Sequence, residues 1–396
     1  MSVHTLTLSQ SARDRGAWRR LTARDSLVRR VDWLLLLVAL ALSVLGCLLV
    51  WSATRNRTDI NNGDPQYFLV RQLINLAIGL ALAAGVMWLG HDRLRSAVPL
   101  VYAASVAGIL LIFTPLGTVI NGQRAWLAIG GYTIQPAEFA KVAVILGMAM
   151  ILAAQVDAGD REHPGSRAIL QALALAFVPL GIVVIDDMGM AMVMSVIIIG
   201  VLLASGADLR WSIGLILAGV AAAVLVWALG ILDQYQLDRF GAFVNPDLDP
   251  AGAGYNTSQA QIAIGSGGLF GTGLFQGTQT TGQFVPEQQT DFIFTVAGEE
   301  LGFVGAGGII VLVGVLLWRA LRIARGASDL YSTIIAAGVV AWFAFQSFEN
   351  IGMALGIMPV AGVPLPFLSY GGTSMFAAWI AIGLLQSVRM KRPLSA

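Results

Sequence analysis

Long continuous runs of apolar residues, separated mostly by short polar stretches, dominate the chain. Because a helix needs about 20 apolar residues to cross the hydrocarbon of a bilayer, runs of this length predict membrane-spanning helices. Ten windows qualify: 33–51, 68–90, 97–115, 136–154, 168–185, 188–207, 211–232, 292–318, 330–349 and 369–388. The runs lack the strict alternation of a β-barrel strand. The pattern therefore predicts an all-α polytopic membrane protein with about ten transmembrane helices.

The composition supports a membrane protein. Hydrophobic residues make up 57% of the chain and charged residues only 12%, whereas a soluble domain has about 25% charged residues. The single cysteine, Cys47, lies inside the first apolar run and has no intrachain partner for a disulfide.

The positions of Lys and Arg predict the orientation, since these residues accumulate in cytoplasmic loops. With ten spans and an inside N-terminus, 18 of the 24 Lys and Arg residues fall on the cytoplasmic side. The exceptions are Arg55, Arg57, Arg71, Arg124, Lys141 and Arg239. Both termini are therefore expected to be cytoplasmic. The net charge of +1 reflects this topology, and nothing in the chain favours nucleic-acid binding.

The chain divides into a membrane domain with two short flanks. Residues 1–30 lack the apolar core and cleavage site of a signal peptide and are predicted to form a basic cytoplasmic arm. That arm is interpreted as a charged orienting tail or as a segment that rests on anionic lipid. The membrane domain is predicted to span 31–390, and 391–396 to form a short cytoplasmic C-terminus.

Two of the predicted external connections are long. The first, 116–135, is rich in glycine and contains Arg124 and Trp126. The second, 233–290, is predicted to be a large extracellular loop between helices 7 and 8, and a loop of this size within a compact domain is usually functional or disordered. Its many aromatic residues and the amphipathic stretch Gln259–Ile264 indicate that parts of it pack on the helices or lie in the membrane interface.

Ionisable residues inside apolar runs are costly and by default mark functional sites. Glu138 and Lys141 lie one helical turn apart and can pair on one face. The residues alone weigh substrate binding and a buried ion pair that fixes packing about equally. Glu299 and Glu300 lie two turns into the eighth run, where a carboxylate is expected to be protonated or paired, and no chemical role is assigned to them.

Two aspartates lie where an external connection meets an apolar helix. Asp187, preceded by Asp186, lies between the fifth and sixth runs, and Asp291 precedes the eighth. Each has a structural alternative, because Asp commonly caps a helix N-terminus and complements its dipole. For Asp291 a functional role is favoured by other charged residues at the same external level. These residues are Arg124, Lys141, Asp187 and Glu287.

The three histidines, His4, His91 and His163, all fall on the predicted cytoplasmic side. An external active site would therefore have to use carboxylates as acid or base. The same positions argue against a Ser-His-Asp triad outside and against a zinc site built from His and Cys.

A long segment near the C-terminus identifies a resemblance. Glu349–Ser374, ENIGMALGIMPVAGVPLPFLSYGGTS, closely resembles the signature of the SEDS family (shape, elongation, division and sporulation), which includes RodA, FtsW and SpoVE. Four further motifs occur in the family's order, so that the resemblance covers essentially the whole membrane region. They are INGQRAW, QPAEFAK, GYNTSQAQIAIGSGGLFGTGL and FVPEQQTDFIFTVAGEELG.

The resemblance implies a function and a set of site residues. SEDS proteins polymerise lipid II into the glycan strands of peptidoglycan at the outer face of the bacterial cytoplasmic membrane. Asp291 matches the family's catalytic aspartate, and Asp187 matches the aspartate of a Pro-Asp-x-Gly motif whose proline is replaced here by Asp186. The residues predicted to bind substrate are Arg124, Trp126, Glu138, Lys141, Asp187, Glu287 and Ser369.

The mechanism implied is an inverting glycosyl transfer. Asp291 would accept the proton of the acceptor's 4-hydroxyl as that oxygen attacks the anomeric carbon of the donor, and undecaprenyl diphosphate would leave. Arg124 and Lys141 would offset the developing negative charge. A divalent cation, Mg²⁺ or Mn²⁺, is an optional addition, and no metal ligand is assigned.

The resemblance also implies partners and leaves alternatives. A cognate class B penicillin-binding protein, a transpeptidase, and the elongation machinery are the expected partners. The first apolar run and the short C-terminus resemble RodA more than FtsW, which predicts a role in cell elongation and shape. The alternatives are a lipid II flippase, a division- or sporulation-type paralogue, and a scaffold without enzymatic activity.

Overall fold

The structure is a computed structural model. It describes residues 30–58, 60–61, 63–120, 123–130, 132–159, 161–230, 239, 241, 243 and 252–391. Nearly all of the predicted N-terminal arm, the last five residues and part of the predicted loop 233–290 lie outside the described residues.

Helices account for most of the described chain, and each of the ten predicted windows overlaps a long helix. The helices are α1 (Trp33–Thr54), α2 (Tyr67–Leu89), α3 (His91–Leu111), α4 (Pro136–Asp157), α5 (Ser166–Asp186), α6 (Met188–Ala204), α7 (Leu209–Ala228), α8 (Ala253–Ser266), α9 (Thr278–Thr281), α10 (Ile293–Arg325), α11 (Leu330–Ala354) and α12 (Gly372–Lys391).

Within the described residues, eight helices are long and apolar enough to cross a membrane. They are α1 to α5, α7, α10 and α11, whereas α6 is apolar but shorter. The prediction of a polytopic helical membrane protein is confirmed. The number of ten crossings and the membrane side of the large loop stay predictions.

Helices α4 and α11 form the centre of the bundle. Helix α4 contacts α3, α5, α6, α11 and α12, and α11 contacts α6 and α10 as well. Small residues allow the close approach. A Cβ atom on Gly338 of α11 would lie 2.9 Å from Ile145 of α4 and 3.1 Å from Val201 of α6. In contrast, α7 is exposed along almost its whole length. The interior is therefore built around the helix that carries Glu138 and Lys141.

A small antiparallel sheet lies between α3 and α4, in the glycine-rich segment 116–135 that was predicted to be an external connection. Strands β1 (Gly117–Ile120), β2 (Gln123–Ile129) and β3 (Tyr132–Ile134) pair in the order β1-β2-β3. The register pairs Thr118 with Trp126 and Ala128 with Thr133. The sequence has Asn-Gly between β1 and β2 and Gly-Gly between β2 and β3, which are typical of two-residue hairpin turns. The all-α prediction missed this sheet.

The part of the family signature between α11 and α12, residues 361–369, is here called the signature segment, and it is buried and irregular. Most side chains from Ala361 to Ser369 are buried although the backbone there is not helical. Two glycines bring helices against it. A Cβ atom on Gly46 of α1 would lie 2.6 Å from Leu368 Cα, and one on Gly189 of α6 would lie 2.5 Å from Ala361 O. Irregular backbone at membrane depth is tolerated where protein surrounds it, and most side chains of this segment are enclosed in that way.

Helix α10 is interrupted at Gly302, which has φ 68° and ψ −168°. The sequence predicted an unbroken helix because the apolar run is continuous. Backbone from the preceding loop meets the interruption, since Phe303 N–H donates to Gly268 O at 2.9 Å and Gly273 N–H donates to Glu300 O at 3.1 Å. The segment Gln259–Ile264 lies within α8, which packs on α10 and α11. The prediction that part of the large loop packs on the helices is confirmed.

Candidate active site

Asp291 lies in a turn immediately before α10. The backbone N–H groups of Thr290, Asp291 and Phe292 all donate to Glu287 O, at 3.2, 3.0 and 3.3 Å. Glu287 has φ 48°, the left-handed region that is uncommon for a residue other than glycine. The turn is thus a tight backbone structure that sets the position of the Asp291 side chain.

Asp291 does not cap α10. The N-cap residue of that helix is Phe292, and no side chain accepts a hydrogen bond there. The alternative prediction, that the Asp291 side chain caps the N-terminus of this helix, is therefore wrong. Instead, Asn350 of α11 holds the turn against the signature segment, since its Nδ2 donates to Asp291 O at 2.7 Å and to Val363 O at 2.8 Å.

The Asp291 carboxylate is partly buried and faces the signature segment. Gly362 is so close that a Cβ atom there would lie 3.6 Å from Asp291 Oδ2 and 4.0 Å from Gln123 Nε2 of β2. Gly362 has φ 71°, which also favours glycine. Three elements thus meet around Gly362: the turn before α10, the signature segment and the start of β2.

The pKa of the Asp291 carboxyl is raised to about 7, chiefly by burial and also by the negative charges of Glu287 and Asp187, while the positive charge of Arg239 acts in the opposite direction. A carboxyl group with a pKa near neutral pH is ionised for part of the time and still basic enough to accept a proton. The environment of Asp291 is therefore compatible with the general-base role predicted from the sequence.

Asp187 is buried beside this site and also has a structural role. Its Oδ1 accepts from Met190 N–H at 2.9 Å and caps α6, as the structural alternative predicted. Its Oδ2 accepts from Gln135 Nε2 at 2.9 Å. The charges of Glu138 and Arg239 also act on Asp187. Asp187 can therefore cap α6 and also belong to the candidate site around Asp291.

Glu138 and Lys141 form a fully buried ion pair with 2.9 Å between Glu138 Oε2 and Lys141 Nζ. Lys141 Nζ also donates to Gln346 Oε1 at 2.8 Å and lies 4.4 Å from the ring centroid of Trp342, both on α11. Gln346 Nε2 in turn donates to Pro364 O of the signature segment at 2.7 Å. These contacts favour the interpretation that the pair fixes packing, because both side chains are enclosed by protein.

Arg124 and Asp186 lie together at a pocket that adjoins Asp187. Arg124 NH2 donates to Thr114 O at 3.0 Å, and its charge acts on Asp186. Apolar side chains of α3 and α5, among them Ile109 and Ile182, line much of this small, partly open pocket. The aspartate that replaces the family's proline therefore faces a cation rather than lipid alone.

The remaining predicted site residues occupy separate positions. Trp126 is partly buried in β2, where its backbone pairs with Thr118. Ser369 is buried, and its Oγ accepts from Leu365 N–H at 2.8 Å, which stabilises the signature segment itself. Glu287 contributes its carbonyl and its charge to the Asp291 turn. The structure thus groups Asp291, Glu287 and Asp187, and it does not describe a contact of Trp126 or Ser369 with them.

Three residues near the site were not predicted from the sequence. Arg239 is the described cation whose charge acts on both Asp187 and Asp291. Asn350 holds the Asp291 turn. Glu349 is fully buried on α11, and the charges of Asp187 and Lys141 act on it. Asn350 and Glu349 open the ENIG stretch of the signature, where a polar pair inside an apolar helix could have drawn attention to them.

No group of three or more His, Cys, Asp or Glu side chains is arranged to hold a metal ion among the residues that the structure describes. A divalent cation at this site therefore stays a prediction without assigned ligands.

A family model described as "Cell cycle protein", which covers FtsW, RodA and SpoVE, matches residues 32–393. The chain belongs to the SEDS family. The match covers the whole described membrane region, so the resemblance found in the sequence motifs is confirmed.

Individual relatives agree with this assignment. The SEDS protein is 35% identical over 359 residues to the probable peptidoglycan glycosyltransferase FtsW of Trichlorobacter lovleyi, covering 90% of this chain and 92% of the relative. A solved structure described as "Structural coordination of polymerization and crosslinking by a peptidoglycan synthase complex" matches with TM-score 0.73, 30% identity and coverage of 91% and 97%. The rod shape determining protein RodA of Thermus thermophilus matches with TM-score 0.66, 29% identity and coverage of 92% and 98%.

These relatives do not separate the subtypes. The sequence relative is an FtsW and one of the structural relatives is a RodA, at similar identity. The elongation-type assignment of this SEDS protein therefore stays a prediction.

Proposed function

We propose that this SEDS protein is a peptidoglycan glycosyltransferase that polymerises lipid II into glycan strands, with a role in cell elongation and shape. The observation that carries the proposal is the Asp291 carboxylate. It is partly buried, it lies in a turn held by Glu287 and Asn350, and burial raises its pKa to about 7. FtsW of Trichlorobacter lovleyi is named a probable peptidoglycan glycosyltransferase, which supports the same activity.

In the proposed reaction, the ionised Asp291 accepts the proton of the acceptor's 4-hydroxyl while that oxygen attacks the anomeric carbon of the donor. The bond from the anomeric carbon to the diphosphate oxygen breaks, and undecaprenyl diphosphate leaves with the bonding electron pair. One displacement inverts the configuration, so no covalent glycosyl-enzyme is needed. Diphosphate leaves without protonation, which is why a single base suffices.

Cations near the carboxylates are proposed to offset the charge that develops on the diphosphate. Arg124 lies at the pocket beside Asp187, and the charge of Arg239 acts on Asp187 and Asp291. The sequence also predicted that Lys141 offsets this charge. Because Lys141 is enclosed by Glu138, Gln346 and Trp342, we assign its charge to the packing of α4 on α11.

The rate of polymerisation is expected to fall as the pH drops below about 7. The base acts only when ionised, and burial raises the pKa of Asp291 to about 7, so the active fraction decreases about tenfold per pH unit below that value. Initial rates of lipid II polymerisation measured across the range test this. Glu287→Gln is the matched variant, since loss of its negative charge lowers the pKa of Asp291 and should move the midpoint to lower pH. A midpoint that is unchanged or higher in Glu287→Gln would contradict the assignment.

The proposed orientation places both termini in the cytoplasm and Asp291 outside. Thr281, at the end of α9, and Glu162, between α4 and α5, are both exposed, whereas the native Cys47 is buried. In intact spheroplasts, a membrane-impermeant maleimide should label the Thr281→Cys variant. It should label Glu162→Cys only after permeabilisation. The reverse pattern would show that the orientation is inverted.

A class B penicillin-binding protein is proposed as the partner. The solved relative described as a peptidoglycan synthase complex that coordinates polymerization and crosslinking supports this choice. Co-purification of this chain with its cognate transpeptidase, and a higher polymerisation rate in the complex than for the chain alone, are the expected results. Failure to co-purify, together with an unchanged polymerisation rate on addition of the transpeptidase, would contradict the proposed partnership.

A further inference from the structure

Glu299 binds the loop that precedes the Asp291 turn. The side chain lies inside α10 and is fully buried. Its Oε1 accepts from Gln279 N–H at 2.7 Å, and its Oε2 accepts from Thr280 N–H at 2.9 Å and from Thr280 Oγ1 at 2.7 Å. A buried charge is stable only when paired or hydrogen-bonded, and these donors satisfy the carboxylate.

A buried chain of side-chain hydrogen bonds runs from Glu299 to the start of α10. Gln288 Nε2 donates to Thr280 Oγ1 at 3.2 Å and to Thr295 Oγ1 at 3.1 Å. Thr295 Oγ1 donates to Phe292 O at 2.7 Å. All four side chains that form this chain of bonds are buried.

The chain of bonds ends on both sides of Asp291. Gln288 lies inside the turn that starts at Glu287, and Phe292 directly follows Asp291. The turn contains the left-handed Glu287, a conformation that persists only where the surroundings hold it. The hydroxyls of Thr280 and Thr295 thus hold Gln288 on one side of the turn. On the other side, Asn350 of α11 donates to the Asp291 carbonyl.

We infer that Glu299 is a positioning residue for Asp291, acting through Thr280 and Gln288. This inference rests on the proposed function, because it gives Glu299 the task of holding the turn that carries the base. It also assigns a role that the sequence motif left open.

The chemistry of Glu299 sets the direction of the whole chain of bonds. An ionised carboxylate only accepts hydrogen bonds, so the Thr280 hydroxyl must donate to Glu299. The hydroxyl then offers a lone pair to the Gln288 amide. A neutral amide at position 299 keeps one acceptor oxygen but places its NH2 group against the donors of either Gln279 or Thr280, which disrupts part of this order.

Two substitutions at Thr280 test the inference. Thr280→Val keeps the shape and removes the hydroxyl, whereas Thr280→Ser keeps it. We expect Thr280→Val and Glu299→Gln to lower kcat for lipid II polymerisation about ten- to hundredfold, because a small displacement of a catalytic group has effects of this size. KM should change little. The pH midpoint should move below that of the wild type, since a displaced turn exposes Asp291 to water. Thr280→Ser should restore kcat and the midpoint.

Glu300 provides a matched control. It is the adjacent buried carboxylate, but it accepts from Ser52 Oγ at 2.5 Å and from the backbone N–H groups of Phe275 and Gly277, not from Thr280. Glu300→Gln should therefore keep the wild-type pH midpoint. Melting temperatures in detergent are recorded for every variant, so that loss of folding is separated from displacement of the base.

Wild-type kcat and pH midpoint in both Thr280→Val and Glu299→Gln would overturn the inference. So would equal losses in all four variants together with lowered melting temperatures, because they would show a role in stability alone. Asp291→Asn is assayed in parallel. If it polymerises lipid II at the wild-type rate, the proposed function of Asp291 fails and takes the inference with it. If it is inactive, the result for Glu299 stands on its own.

Discussion

Asp291→Asn is expected to lower the rate of lipid II polymerisation by about 100- to 10,000-fold, the range that a positioned general base contributes. Asparagine has nearly the same shape as aspartate but cannot accept the proton of the attacking hydroxyl. The acceptor would then have to lose its proton to water, which is far less favourable near neutral pH.

The substitution should leave the turn intact. The hydrogen bonds that define it run from backbone N–H groups to Glu287 O and from Asn350 to the Asp291 carbonyl, and none of them uses the carboxylate. We therefore expect the melting temperature and the binding of the partner transpeptidase to match the wild type. A Glu at this position keeps a base but extends it toward Gly362, so Asp291→Glu should have intermediate activity. An active Asp291→Asn protein would exclude the proposed base.

Lys141→Met is expected to destabilise the protein by about 3–5 kcal/mol, the cost of leaving a buried charge without its partner. Glu138 is fully buried, and Lys141 is its partner at 2.9 Å. The lysine also binds Gln346 and lies over Trp342, so its loss disturbs the contact of α4 with α11. Denaturant unfolding in detergent measures the change.

The double variant Glu138→Gln with Lys141→Met separates the two roles proposed for the pair. If the pair fixes packing, removing both charges should recover much of the stability lost in Lys141→Met, as well as much of the polymerisation rate. If Lys141 binds the substrate diphosphate, Lys141→Met should stay folded, and both variants should show a raised KM for lipid II. The second pattern would contradict the packing role assigned here.

The helices could be predicted from the sequence because the membrane imposes a simple requirement. Each crossing needs one apolar run of sufficient length, and every predicted window overlaps a helix. The interruption of α10 at Gly302 could not be predicted in this way, since the glycine lies within an apolar run. What holds that interruption is backbone from residues 268–273, which are distant along the chain.

The sheet was missed for a different reason. Its segment was interpreted by glycine content, although Asn-Gly and Gly-Gly dipeptides between strand-like stretches are typical of hairpins. The start of β2 lies beside the proposed base, since Gln123 and Asp291 both approach Gly362. The two dipeptides could have predicted the hairpins. They could not have predicted that β2 lies close to the signature segment, because that contact is tertiary.

The site could be predicted in part. Asp291 was found from its position before an apolar helix and from the family motif. Its environment depends on tertiary contacts that no local pattern reveals, such as Asn350 from α11 and the charge of Arg239. The role of Lys141 depended in the same way on Gln346 and Trp342, which lie about 200 residues further along the chain. Local sequence left packing and substrate binding equally open, and only the contacts favour packing.

The central claim is most directly tested by polymerisation of lipid II in liposomes that contain the purified chain and a transpeptidase partner, with wild type and Asp291→Asn compared side by side. Gel separation of the products reports strand formation, and co-purification confirms that both complexes are intact. We predict long glycan strands from the wild-type complex and none above background from the intact Asp291→Asn complex. Strands of equal yield from both complexes would contradict the account.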